Sequence, residues 1–452
     1  MPLRQQDSPG ALAFQTSRHR DMRTPVRRLV GIGVGPFNLG LACLAQPITD
    51  LESVFFERKP AFDWHGNILM THARMQTPFT ADLVTPADPT SPFSFLNFLK
   101  QHGRLHAYMI RGDLYPLREE FNQYYQWCAN QLENIHFGHD VTDVEYDDAQ
   151  QCYRVHTENA RTSTPAVTAA SALVIGTGTV PRWPDGVPRN VNRIIHSSQY
   201  LAQRPRLRDC RRIAVVGGGQ SGAEVFLDLL QGQDTHDHEL LWLTRSTHFF
   251  PTEEGKLTLE MTSPTYIEHF FSLAASKRKD LIQAQHNLHK GSRLDTLAEI
   301  YDTMYAHHVR GSLRAKLLPA TSLQRIDRER AGASLRLSLY HNHLETDSTR
   351  EVDAVILATG YQDLLPGFMD RIADRILLDS SGHPDLDLNH AVDINRGEIF
   401  IQNMDLHTHG FSTSDLSVSY NDNSRILNTV TGRTVYPLNP GVLFQDFTPT
   451  GD

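Results

Sequence analysis

Twice along the chain an apolar strand runs into a glycine-rich turn and then into an apolar helix. The first copy is Arg28-Leu-Val-Gly31-Ile-Gly33-Val-Gly35-Pro36-Phe-Asn38-Leu-Gly, leading into Leu41-Ala-Cys-Leu-Ala. The second is Arg212-Ile-Ala-Val-Val-Gly217-Gly-Gly219-Gln220-Ser221-Gly222, leading into Ala223-Glu-Val-Phe-Leu-Asp-Leu-Leu. Strand, turn and helix in that order mark the βαβ unit of a parallel sheet. The copies lie 186 positions apart, counting Gly31 to Gly217, so they are two domains and not a short repeat.

Glycine in such a turn lets the backbone approach a pyrophosphate, and the helix that follows offers unpaired N–H groups. Pro36 suits the first helical position, where its missing N–H was unpaired anyway. The strand after the first turn, Ser53-Val-Phe-Phe-Glu57, ends in an acid 26 residues beyond Gly31, placed to accept from a ribose hydroxyl. The strand after the second, Glu239-Leu-Leu-Trp-Leu-Thr-Arg245, ends instead in an arginine 28 residues beyond Gly217. Arginine there pairs with a 2′-phosphate that a carboxylate would repel. An acid in one unit and an arginine in the other predict FAD and NADPH respectively.

A third apolar strand, Asp353-Ala-Val-Ile-Leu-Ala-Thr-Gly-Tyr361, resembles Ala172-Leu-Val-Ile-Gly-Thr-Gly. The expected fold is α/β, with two Rossmann-like dinucleotide-binding domains, the second inserted into the first, and a small substrate-binding region. An FAD domain would span 26–205 and 350–437, and an NADPH domain 210–345. Residues 1–25 and 438–452 read as loosely held tails.

Composition narrows the partners. Lys and Arg total 43 against 52 Asp and Glu, a net charge of −9, which argues against nucleic acid. No apolar run reaches the roughly 18 residues of a membrane span. The N-terminal stretch lacks the apolar core of a signal peptide. Four cysteines, Cys43, Cys128, Cys152 and Cys210, form no CxxC or CxxxxC pair. That fits a reduced cytoplasmic protein without a metal site. It also leaves no disulfide to pass electrons through, so the expected acceptor is dioxygen or another small oxidant.

At this point the motifs resemble the flavin-dependent N-hydroxylating monooxygenases of hydroxamate siderophore biosynthesis, over about Val30 to Arg433. The strings that carry the resemblance are Gly31-Ile-Gly-Val-Gly-Pro-Phe-Asn-Leu, Phe62-Asp-Trp-His65, Met75-Gln76, Asp82-Leu-Val84 and Pro89-Thr-Ser-Pro-Phe-Ser-Phe-Leu-Asn97. Further strings are Gly217 to Gly222, Asp353 to Tyr361, and His407-Thr-His409-Gly410 running on to Asp415-Leu416-Ser417. The resemblance implies that Glu57 through His65, with Lys59 and Trp64, line the FAD, and that Gln76 orders the flavin site. It implies flavin contacts from Val141 on the adenine side and from Ser414, Asp415 and Leu416. NADPH falls to Gly217, Gly219, Gln220, Ser221, Gly222 and Arg245. It further implies oxygen transfer by a C4a-hydroperoxyflavin and a homo-oligomer, often a tetramer.

The substrate positions depart from the amino-acid hydroxylases. The lysine that in those enzymes meets the substrate carboxylate is here Ala81, and a usual polar contact 14 residues after the NADPH arginine is Leu259. Asn287 and Ser417 are the remaining substrate candidates. Losing the groups that bind an anion suits a substrate without one, because a buried unpaired carboxylate costs several kcal/mol. The expected substrate is therefore a diamine such as putrescine or cadaverine. A side-chain monooxygenase of lysine or ornithine is the alternative, and a carbon- or sulfur-oxygenating flavin monooxygenase the second. A terminal amine with a solution pKa of about 10.4 must shed its proton to attack oxygen, and an apolar pocket favours that neutral form.

Overall fold

The apolar runs bounded by small residues become two parallel sheets. The computed structural model describes residues 26–64, 66, 70, 73–328, 334–438, 441 and 443–448. The expected tail 1–25 and His65 lie outside the described residues.

Chain order gives β1 (Val26–Ile32), α1 (Pro36–Ala45), β2 (Ser53–Glu57), α2 (Arg118–Ala129) and β3 (Ile135–Phe137). The hairpin strands β4 (His139–Asp147) and β5 (Cys152–Asn159) then lead into the long β6 (Pro165–Ile175). Strands β3, β2, β1 and β6 pair in that order, all parallel. The first half of β6 pairs antiparallel with β5.

The chain then crosses to the second sheet through β7 (Ile194–His196), β8 (Arg212–Val216), α3 (Gln220–Gln231) and β9 (Glu239–Leu243). Helices α4 (Pro264–Ser272) and α5 (Leu294–Val309) precede β10 (Ala315–Leu318). An antiparallel meander, β11 (Thr321–Arg328), β12 (Leu335–His341) and β13 (Thr346–Val352), runs straight into β14 (Ala354–Leu357). The second sheet has the order β10-β9-β8-β14-β7, all parallel. The chain finally returns to the first sheet with β15 (Ile399–Ile401), parallel to the second half of β6, and then forms α6 (Ser419–Thr431).

Both sheets thus follow one plan, a parallel stack flanked by a three-stranded meander. The pairing corrects the expected seams. β14 was expected to help build the first sheet within 350–437; it pairs with β8 and β7, so the second sheet draws strands from 194–196 and 354–357. Asp353 fixes that seam by accepting the Arg211 and Arg212 backbone N–H groups at 2.8 and 2.9 Å. The segment after Pro437 is also better held than expected. Phe447 packs edge-on against Tyr266, and Glu260 accepts the backbone N–H groups of Phe444 and Gln445.

Each sheet has cores on both faces. One face of the first sheet packs α1 and α2 with Phe55, Phe95, Phe121 and Tyr124; the other packs Val30, Ile32, Tyr153 and Ile399. In the second sheet, Phe226, Trp242 and Ile356 fill one face and Leu337, Leu339 and Val355 the other.

Candidate functional site

The two turns superimpose in their bonding. Gly33 N–H donates to Phe56 O at 2.8 Å, and Gly217 N–H donates to Leu243 O at 2.8 Å. Both glycines have positive φ, +82° and +123°. Gly35 and Gly219 cap α1 and α3 with nearly identical extended backbones and no side-chain cap. The first helical N–H groups are therefore free to meet an anion.

This register shifts the fingerprint. Gly31 lies inside β1, where an added Cβ would sit 2.1 Å from the Phe55 ring, so its role is packing. Gly33 and Gly35 do in the first unit what Gly217 and Gly219 do in the second. Glu57 then matches Thr244, not Arg245, which lies one residue further on. Glu57 is buried, 9% exposed, and accepts the N–H of Val34 at 2.7 Å and of Lys59 at 2.9 Å. Each oxygen keeps a lone pair for a ribose hydroxyl. Arg245 is exposed just past the end of β9.

The third fingerprint position also differs. Gly222 abuts the turn, with room for no side chain: a Cβ would lie 2.1 Å from Gly217 O. Its counterpart Asn38 donates Nδ2–H to Gly33 O at 2.7 Å. Gln220 is turned away from the expected pyrophosphate. Its Nε2 donates to Glu224 at 2.7 Å and its Oε1 accepts Arg293 N–H at 2.7 Å, leaving only its backbone to face a phosphate. Ser221 is half-buried beside it.

The remaining candidates come from several segments. Lys59 donates Nζ–H to Asp63 O at 2.7 Å, and Trp64 N–H donates to Asn122 at 3.1 Å with its ring edge-on to Tyr125. Gln76 is exposed beside buried Met75. Val141 is buried in the core behind the first sheet, so only its backbone is available. Ser414 is exposed, whereas Asp415, Leu416 and Ser417 are half-buried. Leu416 packs against the core on the α1 face of the first sheet, the core that also holds Met75 and Leu83, while Ala81 is buried between Phe79 and Leu83 in the sequence. His289 stacks on Phe411, joining the short helix of Asn287 to the same region, although Asn287 itself is exposed. Leu259 is the outlier among these expectations. It is 44% exposed at the end of a short helix, and its neighbour Glu260 is tied to the C-terminal segment.

Two buried ionic arrangements escaped the sequence reading. Arg118 on α2 forms a two-pronged pair with Glu224 on α3 at 3.0 and 2.9 Å, bolting the two units together. Arg293 extends the joint by donating to Met75 O at 3.3 Å. Nothing local in the sequence marks these partners, which lie 106 positions apart for Arg118 and Glu224. The second arrangement centres on His390, whose ring nitrogens lie 3.1 Å from Asp405 and 3.2 Å from Asp422. Burial alone would lower its pKa, but Asp422 and Asp405 raise it to about 10. His409, stacked on His390 at 4.4 Å, is held neutral, its pKa lowered to about 3 by burial and by the His390 charge. Ligand atoms of His390, Asp405 and His409 lie within 4.8 Å of one another, yet the imidazolium already supplies the positive charge the aspartates need.

Around the 75–83 and 410–417 segments, buried oxygens of Thr77, Ser412 and Ser417 have no hydrogen-bond partner among the described residues. Buried polar atoms are nearly always satisfied. Together with the two glycine cradles, they fit bound groups rich in donors and acceptors, as dinucleotides are.

Two parallel sheets, each ending at an uncapped glycine turn, define a protein that holds two dinucleotides. Comparison with known proteins narrows this class. The chain belongs to the L-lysine 6-monooxygenase/L-ornithine 5-monooxygenase family, whose model matches residues 26–363, and so is an N-monooxygenase. It is 42% identical over 436 residues to a putrescine N-hydroxylase of Shewanella oneidensis, covering 96% of this chain and 86% of that one. It is 41% identical, at a TM-score of 0.92, to the FAD-bound cadaverine monooxygenase of the desferrioxamine pathway from Erwinia amylovora, covering 95% of this chain and 100% of that one. An ornithine N-hydroxylase from Kutzneria sp. 744, solved with reduced FAD, NADP+ and L-ornithine, aligns at a TM-score of 0.84 and 27% identity over 90% of this chain and 99% of that one.

Proposed function

We propose that the protein N-hydroxylates one terminal amine of an aliphatic diamine, putrescine or cadaverine, with FAD, NADPH and O₂, for hydroxamate siderophore biosynthesis. The observation that carries the diamine reading is buried Ala81, in a segment walled by Phe79 and Leu83, where an anion-binding lysine stands in the amino-acid hydroxylases. The putrescine and cadaverine enzymes among the relatives support the same reading.

In this reading the first turn, Asn38 and Glu57 hold FAD, and the second turn with Arg245 holds NADPH. Bound FAD supplies the redox chemistry, carrying electrons from NADPH to dioxygen. The chain's own residues do the rest. Gly33 and Gly35 open the backbone to the pyrophosphate, and Glu57 orients the ribose. The joint of Arg118, Glu224 and Arg293 sets the distance between the two cofactors. The apolar wall of Phe79, Ala81 and Leu83 excludes water and favours the neutral amine that attacks oxygen. The unpartnered Ser417 hydroxyl is available to the substrate. The four free, buried cysteines suit the reducing cytoplasm, and the proposal includes a homo-oligomer.

Steady-state turnover with putrescine, cadaverine, lysine and ornithine at equal concentration, with products identified by mass spectrometry, tests the proposal. A hydroxylated diamine is expected as the main product. Preference for lysine or ornithine would overturn it.

A further inference from the structure

We infer that the C-terminal strap, residues 443–448, holds the amine side of the site closed, with Gln445 and Phe447 as its positioning residues. The assignment deepens the N-hydroxylation reading above and rests on it.

The strap is extended and docked by one edge. Leu443, Gln445 and Phe447 are half-buried, whereas Phe444, Asp446 and Thr448 between and after them are exposed, the period-two alternation of an extended chain. The inward edge lies on the helical module 256–289. Glu260 accepts the backbone N–H groups of Phe444 and Gln445 at 2.9 and 3.0 Å, and the Gln445 side-chain amide at 3.0 Å. That amide also donates to Leu257 O at 2.6 Å. The Phe447 ring meets Tyr266 of α4 edge-on, with centroids 4.9 Å apart, and lies 6.1 Å from the His269 ring.

The module in turn leans on the segment that runs on to Ser417. Tyr266, Phe270 and Phe411 form one apolar cluster, and Phe447 packs against it. The Tyr266 and Phe411 rings are 6.4 Å apart, and His289 stacks on Phe411 at 5.8 Å. Phe270 covers the Gly410 backbone, where an added Cβ would lie 3.2 Å from its ring. Phe411 opens the 3₁₀ turn Phe411–Ser414. One ring, that of Tyr266, therefore separates Phe447 from this turn.

Both sides of the contact carry buried polar atoms without a partner among the described residues. They belong to Thr265, Gln285 and His289 on the module and to Ser412 and Ser417 on the other side. Such atoms call for a bound polar group, so whatever steadies the module against the turn steadies the site. A closed wall keeps water from the neutral amine and the reacting oxygen. The residues the strap touches, Leu257, Glu260, Tyr266 and His269, belong to neither glycine turn, so its effect should fall on the amine and not on either dinucleotide.

The test compares the wild type with a truncation after Gly441, Phe447→Ala and Phe447→Leu, using whichever amine the wild type hydroxylates. Truncation and Phe447→Ala should each raise KM for the amine by about 10-fold, the scale of a lost aromatic pair and its neighbours. Both should also release more hydrogen peroxide per NADPH oxidised. Flavin content, KM for NADPH and the anaerobic rate of flavin reduction should stay as in the wild type. Phe447→Leu, which keeps most of the apolar contact, should recover most of the amine affinity. Should the truncated chain not fold, the two Phe447 variants decide alone. An unchanged KM and peroxide yield would overturn the assignment. So would an equal loss of flavin content or flavin reduction, which would mark the strap as support for the whole fold. Failure of the diamine reading is seen separately, as a wild type that hydroxylates lysine or ornithine instead, and the strap is then judged with that amine.

Discussion

The two glycine turns share strand, bond and cap geometry, yet one is sealed and the other open. All ten residues of α1 are buried, and α1 is fastened from behind by α6, where Asn423 donates to Phe37 O at 3.2 Å. Arg28 reaches Val430 O from β1, and the Tyr436 hydroxyl donates to Leu44 O at 2.7 Å. By contrast seven of the 12 residues of α3 are buried, and it begins with half-exposed Gln220 and Ser221. The second turn is braced by its own unit, through Trp242 to Gly217 O and Ser292 to Gly218 O. The difference matches two kinds of nucleotide. A buried cradle with an inward acid suits a cofactor that stays through many turnovers. An open cradle with an exposed arginine suits one that binds and leaves each cycle.

The sharpest way to break this comparison is to substitute equivalent glycines. Gly217→Ala places a Cβ 2.0 Å from Ala358 O at a φ of +123°, and Gly33→Ala places one 2.8 Å from Gly176 O at +82°. Gly217→Ala should slow anaerobic flavin reduction by NADPH more than about 100-fold while flavin absorbance per chain is kept, the loss of an oriented cofactor carrying effects of that order. Gly33→Ala should instead purify without flavin. If both variants lost flavin, the units would not be independent.

The next effect tests what seals the first cradle. His390→Gln leaves Asp405 and Asp422 buried without their cation, and should cost about 3–5 kcal/mol in denaturant unfolding. The pH dependence has a defined sign. A pKa raised from 6.5 to about 10 gives stability that is complete below about 6.5 and is lost as pH rises through about 10. Wild-type stability should decline across that window, and the decline should be absent in the variant. A parallel decline in both would remove His390 as its source.

The smallest effect concerns the open cradle. Arg245→Ala should raise KM for NADPH by about 10- to 100-fold, a charged hydrogen bond contributing about 1.5–3 kcal/mol, and leave NADH use unchanged. An unaltered NADPH/NADH ratio would return Arg245 to the solvated surface.

Much of this was legible in the sequence. A strand, a positive-φ glycine and a helix are local in the chain, so both turns and their helices could be read directly. The register was not. Gly31 looks like the first turn glycine because it sits two residues before Gly33, and only strand pairing shows that it belongs to β1 and that Glu57 matches Thr244. The fate of β14 was equally hidden. Leu357-Ala-Thr-Gly360 and Ile175-Gly-Thr-Gly178 end two strands in nearly the same way, and both close over a turn glycine, Gly217 and Gly33. Similar local sequence cannot tell which of two like sheets a strand joins. Asp415 was noticed only through resemblance, as a flavin contact.

The return of the chain to the first sheet has a consequence for how the protein is made. β15 pairs Ile399 with Leu173 and Ile401 with Ile175, partners separated by 226 positions. During synthesis the first cradle therefore emerges early but cannot be completed until the whole second sheet has left the ribosome. The interposed sheet draws its own strands from 194–196 to 354–357, and so can close first. Long-range parallel pairing is slow and leaves apolar edges open while it waits. Ala172 to Ile175, almost fully buried at the end, is the edge most exposed to aggregation until β15 arrives.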